Sequence, residues 1–128
     1  MQQTEIIRFN HGSNVKMLNR SYIVVNNNGT CILSKRAAEA LNLVDLDTVA
    51  IYHNQTKTKF FLVNDAECGA QIRKNSGTFR FCDTKALNLI FVGYSLTAKK
   101  ATLLLGTEIQ TINEKKALEI INRPFNIK

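Results

Sequence analysis

Three cysteines, Cys31, Cys68 and Cys82, and two histidines, His11 and His53, are the residues whose types most directly suggest metal or nucleophilic chemistry. Their spacing argues against both. The cysteines stand 37 and 14 positions apart, which gives no CxxC pair, and their odd number closes no disulfide framework. They read as reduced thiols. Cys31 and Cys82 fall in apolar strand-like runs, where free cysteine packs as a small hydrophobe, whereas Cys68 lies in the polar stretch Asp65–Gly69. The histidines are 42 residues apart in polar sequence, with no cysteine or carboxylate at the short spacings of zinc sites. The six glycines are scattered and form no phosphate-cradling pattern, and neither GxSxG nor HExxH occurs. Asp83 or His53 could join a cluster assembled by folding, but nothing in the chain selects one. The expectation is a non-enzymatic protein that uses no cofactor and no metal.

Charge is the other chemistry available. Among 128 residues, 17 Lys and Arg face 10 Asp and Glu, a formal net charge of +7. On so small a domain this creates a field that favours a polyanion, and each neutralised phosphate releases counterions. The charge is not gathered into a tail: residues 1–64 carry 7 basic and 4 acidic groups, residues 65–110 carry 6 and 4, and residues 111–128 carry 4 and 2. Any basic patch must therefore be made by folding. One can be derived from strand pairing. In a hairpin turning over Lys74 to Gly77, Arg73 faces Thr78 and Gln71 faces Arg80, so Arg73 and Arg80 share a solvent face with Lys74 at its rim. Lys16 and Arg20 precede the other predicted hairpin. Lys35 and Arg36 open a helix at its positive end, where they do nothing for helix stability. These seven residues are the candidate phosphate contacts. With no Trp, and most of the seven Phe and three Tyr in apolar runs, duplex or backbone binding is favoured over stacking on single strands.

The elements that must position these groups recur. Tyr22–Val25 and Thr30–Leu33 flank Asn26-Asn27-Asn28-Gly29, a tight-turn signal. Ser34 then caps a short helix through Leu41, and Thr48–Tyr52 and Phe60–Val63 form a second hairpin. The same order returns after Gly77-Thr78: a strand to Cys82, a helix ending Ala86-Leu87-Asn88-Leu89, then strands at Phe91–Leu96 and Ala101–Leu105 around a basic turn. Two units are too few for a solenoid, so they are expected to close on each other as one barrel, which also removes exposed sheet edges. A single domain over 1–128 follows, with an N-terminal strand and loop (1–20), a first repeat (21–64), a second repeat (69–106) and a C-terminal helix (111–123). That helix is predicted from the capping-box form Thr111-Ile112-Asn113-Glu114 and the apolar positions Ala117, Leu118, Ile120 and Ile121 before Pro124. The fold class is mainly β with short helices. No apolar run approaches the ~18–20 residues of a membrane span, and the opening Met1–Glu5 lacks a secretory signature. A cytoplasmic protein without membrane association is expected.

The segment Asn28-Gly29-Thr30-Cys31-Ile32-Leu33-Ser34, its helix ending Ala40-Leu41-Asn42-Leu43, and Asp45-Leu46-Asp47-Thr48-Val49-Ala50-Ile51-Tyr52 resemble the AbrB-type (SpoVT/AbrB, MazE-like) swapped-hairpin domains over roughly residues 21 to 63. More loosely, the two halves together are similar to small proteins of gut bacteria and their phages. Thr30, Ser34 and Leu46 stand where that family usually has a basic residue, a proline and a glycine. The resemblance implies a cradle-loop barrel made within one chain. It also implies DNA binding, as in a transcriptional regulator of a bacterial or phage element. The partner would be nucleic acid, most readily duplex DNA, or an acidic protein. The alternative is a structural or protein-interaction module such as a phage particle component, and under either reading the chain could form a homo-oligomer.

Overall fold

The computed structural model describes residues 21–124, so Lys16, Arg20 and the expected N-terminal strand fall outside the described residues. The elements run β1 (Tyr22–Asn26), β2 (Thr30–Ser34), α1 (Lys35–Ala40), β3 (Thr48–His53), β4 (Phe60–Asn64), β5 (Ala70–Gln71), β6 (Arg73–Asn75), β7 (Thr78–Cys82), α2 (Thr84–Gly93), β8 (Lys100–Leu105), β9 (Gln110–Ile112) and β10 (Lys115–Pro124). The strands hydrogen-bond in the order β5-β3-β4-β10-β8-β1-β2-β7-β6, with β9 folded onto β10. Only Ile72 separates β5 from β6, so both ends of this path are one stretch of chain. The antiparallel sheet curls into a nearly closed barrel.

Alternation along the strands explains which residues fill it. Ile23 and Val25, Cys31 and Leu33, Phe60 and Leu62, Phe79 and Phe81, Leu103 and Leu105, and Leu118 and Ile120 recur at every second position and are all buried in one cluster. The helices add to that cluster. Ala37, Ala38 and Leu41 come from α1 and its C-cap, and Leu87, Ile90 and Tyr94 from α2 and its C-cap.

The pairing reads the same from either half. The hairpin β1–β2 corresponds to β6–β7, and β3–β4 to β8–β10; β1–β8 corresponds to the contact of β5 with β3, while β2–β7 and β4–β10 join equivalent strands. At the centre of the β2–β7 pairing Ile32 faces Arg80, each the third of five residues in its strand. The caps correspond too. Ser34 Oγ accepts from the Ala37 amide at 3.2 Å, and Asp83 Oδ1 accepts from the Ala86 amide at 3.1 Å.

Two expectations are corrected. The segment predicted as a C-terminal helix is a strand hairpin, because β4 and β8 each need a partner for their backbone groups and only an extended β10 can supply both. The apparent capping box is its turn: Asn113 and Glu114 sit at φ 51° and 68°, and Ile112 pairs with Lys115. Leu118 and Ile120 fit a strand's inward face as well as a helix's apolar face, so periodicity alone could not decide. The strand expected at Phe91–Leu96 is instead the end of α2. Leu87, Ile90 and Tyr94 follow a helical period onto the core, and the Tyr94 and Leu96 amides close the helix end on the Ile90 and Phe91 carbonyls. Gly93 permits this docking, since a Cβ there would lie 2.4 Å from the Lys57 carbonyl oxygen and 2.8 Å from the Phe60 ring. Tyr94 completes it, stacking edge-on against Phe60 at 5.1 Å, accepting from the Phe60 amide and donating to the Ile120 carbonyl.

Candidate nucleic-acid interface

The β6–β7 hairpin reverses through two residues, Ser76 and Gly77, with Asn75 paired to Thr78 and Ser76 held at φ 59°. A two-residue reversal matches strand twist better than the four-residue loop expected from the sequence. It moves the register by two positions. Arg73 therefore faces Arg80, where the sequence suggested Thr78, and Lys74 faces Phe79. A shift of two preserves sidedness, so Arg73 and Arg80 remain on one face and become direct cross-strand neighbours.

Across the outer face of the barrel this pair ends a row made by register alone: Thr102, Val24, Ile32, Arg80 and Arg73, on β8, β1, β2, β7 and β6. Arg73 and Arg80 are exposed, and neither forms an ion pair with another described residue. The only ion pair among the described residues joins Lys115 to Glu67 at 3.9 Å. Like charges set directly opposite on antiparallel strands are destabilising, by about half a kcal/mol. The two arginines line an open groove of about 680 Å³ with Gly69, Ala70, Gln71, Phe81, Cys82 and Asp83. Asp83 already has a task there, as the cap of α2.

The other candidates divide. Lys74 alternates with Arg73 and points to the opposite side of β6, so it leaves the arginine face and lines a separate hollow with Lys35, Glu39 and Asp45. Arg36 is exposed on α1 and lines neither hollow. Lys100 was not singled out by sequence, yet its register with Asn26 puts it on the arginine face, one rung along from Thr102. Its signal was the basic turn that precedes β8.

Burial pushes the Cys31 thiol well above its ordinary value, with the nearby Asp83 and Cys82 adding to the shift, as befits a core residue with no thiolate chemistry. Cys82, expected in the core, is exposed because β7 turns it outward with Arg80. Between the halves, Asp65 is buried and organised. Its Oδ2 accepts from the Tyr52 hydroxyl at 2.6 Å and its Oδ1 from the Glu67 amide at 3.0 Å. The Tyr52 hydrogen bond holds the Asp65 carboxyl below its usual value and pushes Tyr52 up to about 12.

Among the described residues no cluster of His, Cys, Asp and Glu could hold a metal ion, and no helix is long and apolar enough to cross a membrane. Compared with protein-family models, curated proteins and solved structures, the chain matches none.

Proposed function

We propose that the protein is a non-enzymatic nucleic-acid-binding protein that grips the phosphate backbone of duplex DNA on the outer face of β6–β7. The observation carrying this reading is the Arg73–Arg80 pair, two guanidinium groups with no ion-pair partner among the described residues, set against each other across neighbouring strands beside an open groove. A phosphate between them turns a repulsive pair into two charge-assisted hydrogen bonds. Lys100 extends the strip along the same face. In this reading the two halves are copies of one AbrB-like unit, the barrel is the single-chain counterpart of a two-chain barrel, and the role is transcriptional regulation of a bacterial or phage element. No residue is assigned to reading bases, so backbone contacts set the affinity.

The test is fluorescence anisotropy of a random-sequence duplex titrated with protein across a salt series. Affinity should fall steeply with salt, and the Arg73→Thr/Arg80→Thr double variant should reduce the log–log slope by about 1, for the one phosphate no longer neutralised. Unchanged affinity and slope in the double variant, or no binding by the parent even at low salt, would overturn the proposal. The latter result would turn attention to an acidic protein surface, which the same arginines could meet in a structural or particle component.

A further inference from the structure

On the side of β6 opposite the arginine face, the first turn of α1, the Leu43–Asp45 segment and the β6–β7 turn line a half-open hollow of about 290 Å³. Its floor is apolar: Ala38, Leu43 and Phe79 are 1%, 5% and 6% exposed. Its rim carries two cations, Lys35 and Lys74, and two carboxylates, Glu39 and Asp45. None of these four closes an ion pair with a described residue, although all line one small space. The Lys35 and Lys74 ammonium groups and the Glu39 carboxylate make no hydrogen bond within the described protein. Val44, also in the lining, leaves 63% of its surface in water, the second most exposed large hydrophobic residue among those described.

The rim is fixed before any ligand arrives. The Val44 amide donates to Asp47 Oδ2 at 2.9 Å, which folds the turn that presents Val44 and Asp45. The Lys74 amide donates to Asp45 Oδ1 at 2.8 Å, tying that turn to β6. The Leu46 amide donates to the Ile72 carbonyl at 3.0 Å, with Leu46 held at φ 75°. The second Asp45 oxygen stays available. A preorganised apolar floor with a few convergent polar groups is the usual make-up of a small-molecule site.

We infer that this hollow binds a small zwitterion with an apolar side chain, a free aliphatic α-amino acid, whose carboxylate meets Lys35 and Lys74 and whose ammonium meets Glu39 and Asp45. Charges of both signs, left unpaired around one space, match a ligand that itself carries both. The side chain lies on Phe79 and Leu43 and covers Val44. Size agrees, because 290 Å³ is the share of about ten water molecules at ~30 Å³ each, room for a ligand of about ten non-hydrogen atoms. This inference does not depend on nucleic-acid binding.

Amide-resolved NMR of the full chain, titrated separately with L-leucine, N-acetyl-L-leucine and L-leucinamide, tests it. Leucine should give saturable shifts at the amides of Leu43, Val44, Asp45, Lys74 and Phe79, and each capped analogue should bind at least tenfold more weakly. Lys35→Gln and Glu39→Gln change exposed side chains outside the hydrogen-bonded turn, so the fold should persist while each weakens leucine binding at least fivefold. No saturable response to leucine would overturn the inference. So would N-acetyl-leucine binding as tightly as leucine, which would mark a site for carboxylates alone, or leucine binding unchanged in both variants.

Discussion

The hairpins β1–β2 and β6–β7 hold equivalent places in the pairing scheme and carry opposite chemistry on the rung that faces away from the core cluster, apolar with Val24 buried in the first and charged and exposed in the second. On the outward rung where the second carries Arg73 and Arg80, the first carries Val24 and Ile32. Their surroundings differ in step. Both strands of the first hairpin are paired on their far sides, β1 to β8 and β2 to β7. Its turn is clamped against the start of α2, where the Asp83 amide donates to the Gly29 carbonyl at 2.9 Å. The second hairpin ends the path of the sheet on a three-residue strand, β6, whose residues are all exposed. One hairpin is built into the barrel and the other is displayed by it. A fold with two equivalent positions can place its stability in one and its charge in the other.

The sharpest way to test that contrast is to cut the built-in hairpin. Leu33 is fully buried on β2, and Leu33→Ala should cost about 3 kcal/mol, read as a fall in the urea midpoint. Turn glycines separate the two next. Gly29 has φ 99°, and a Cβ there would lie 2.4 Å from Thr84 Oγ1 and 3.0 Å from Thr84 Cα, whereas a Cβ on Gly77 would meet nothing within 4 Å. Gly29→Ala should therefore destabilise by about 2 kcal/mol through strain and crowding, and Gly77→Ala should stay within about 0.5 kcal/mol. Equal losses would remove the distinction between a clamped and an open turn.

The linker between the halves gives a pH-dependent test. Because the Asp65 carboxyl titrates below its unfolded value, its contribution to stability is complete above the ordinary carboxylate range and is lost as pH falls through its depressed folded pKa. Acid should first loosen the chain beyond Asp65, which includes β5 and β6, and hydrogen exchange there should quicken before exchange in β1 and β2. Tyr52→Phe removes the donor and should bring the loss to higher pH, at about 1 kcal/mol in neutral solution. The smallest effect belongs to the displayed hairpin. Arg80→Thr should leave stability unchanged or raise it by about 0.5 kcal/mol, since it relieves a like-charge pair. A clear loss would show that Arg80 supports the fold.

Much of the barrel was legible in the chain. Asn26–Gly29 flanked by β-rich runs and Ser34 at a helix start are local signals, and local backbone chemistry determines them. The outward sharing of Arg73 and Arg80 was also legible, because side-chain sidedness survives a register shift of two. What depended on partners was not. Leu118 and Ile120 suit either a helix or a strand until β4 and β8 present unpaired backbone on both sides of the same gap. Phe91–Leu96 reads as a strand until Lys57 and Phe60 approach Gly93 too closely for any side chain. The turn over Ser76 and Gly77 set the arginines face to face, and the alternation of β6 sent Lys74 to join Lys35, Glu39 and Asp45 around the apolar hollow. The sequence by itself determined the first-half strands, the Ser34 cap and the charge. Only the tertiary structure decided which charges meet, because that depends on register and closure, and these are settled by contacts between segments distant in the chain.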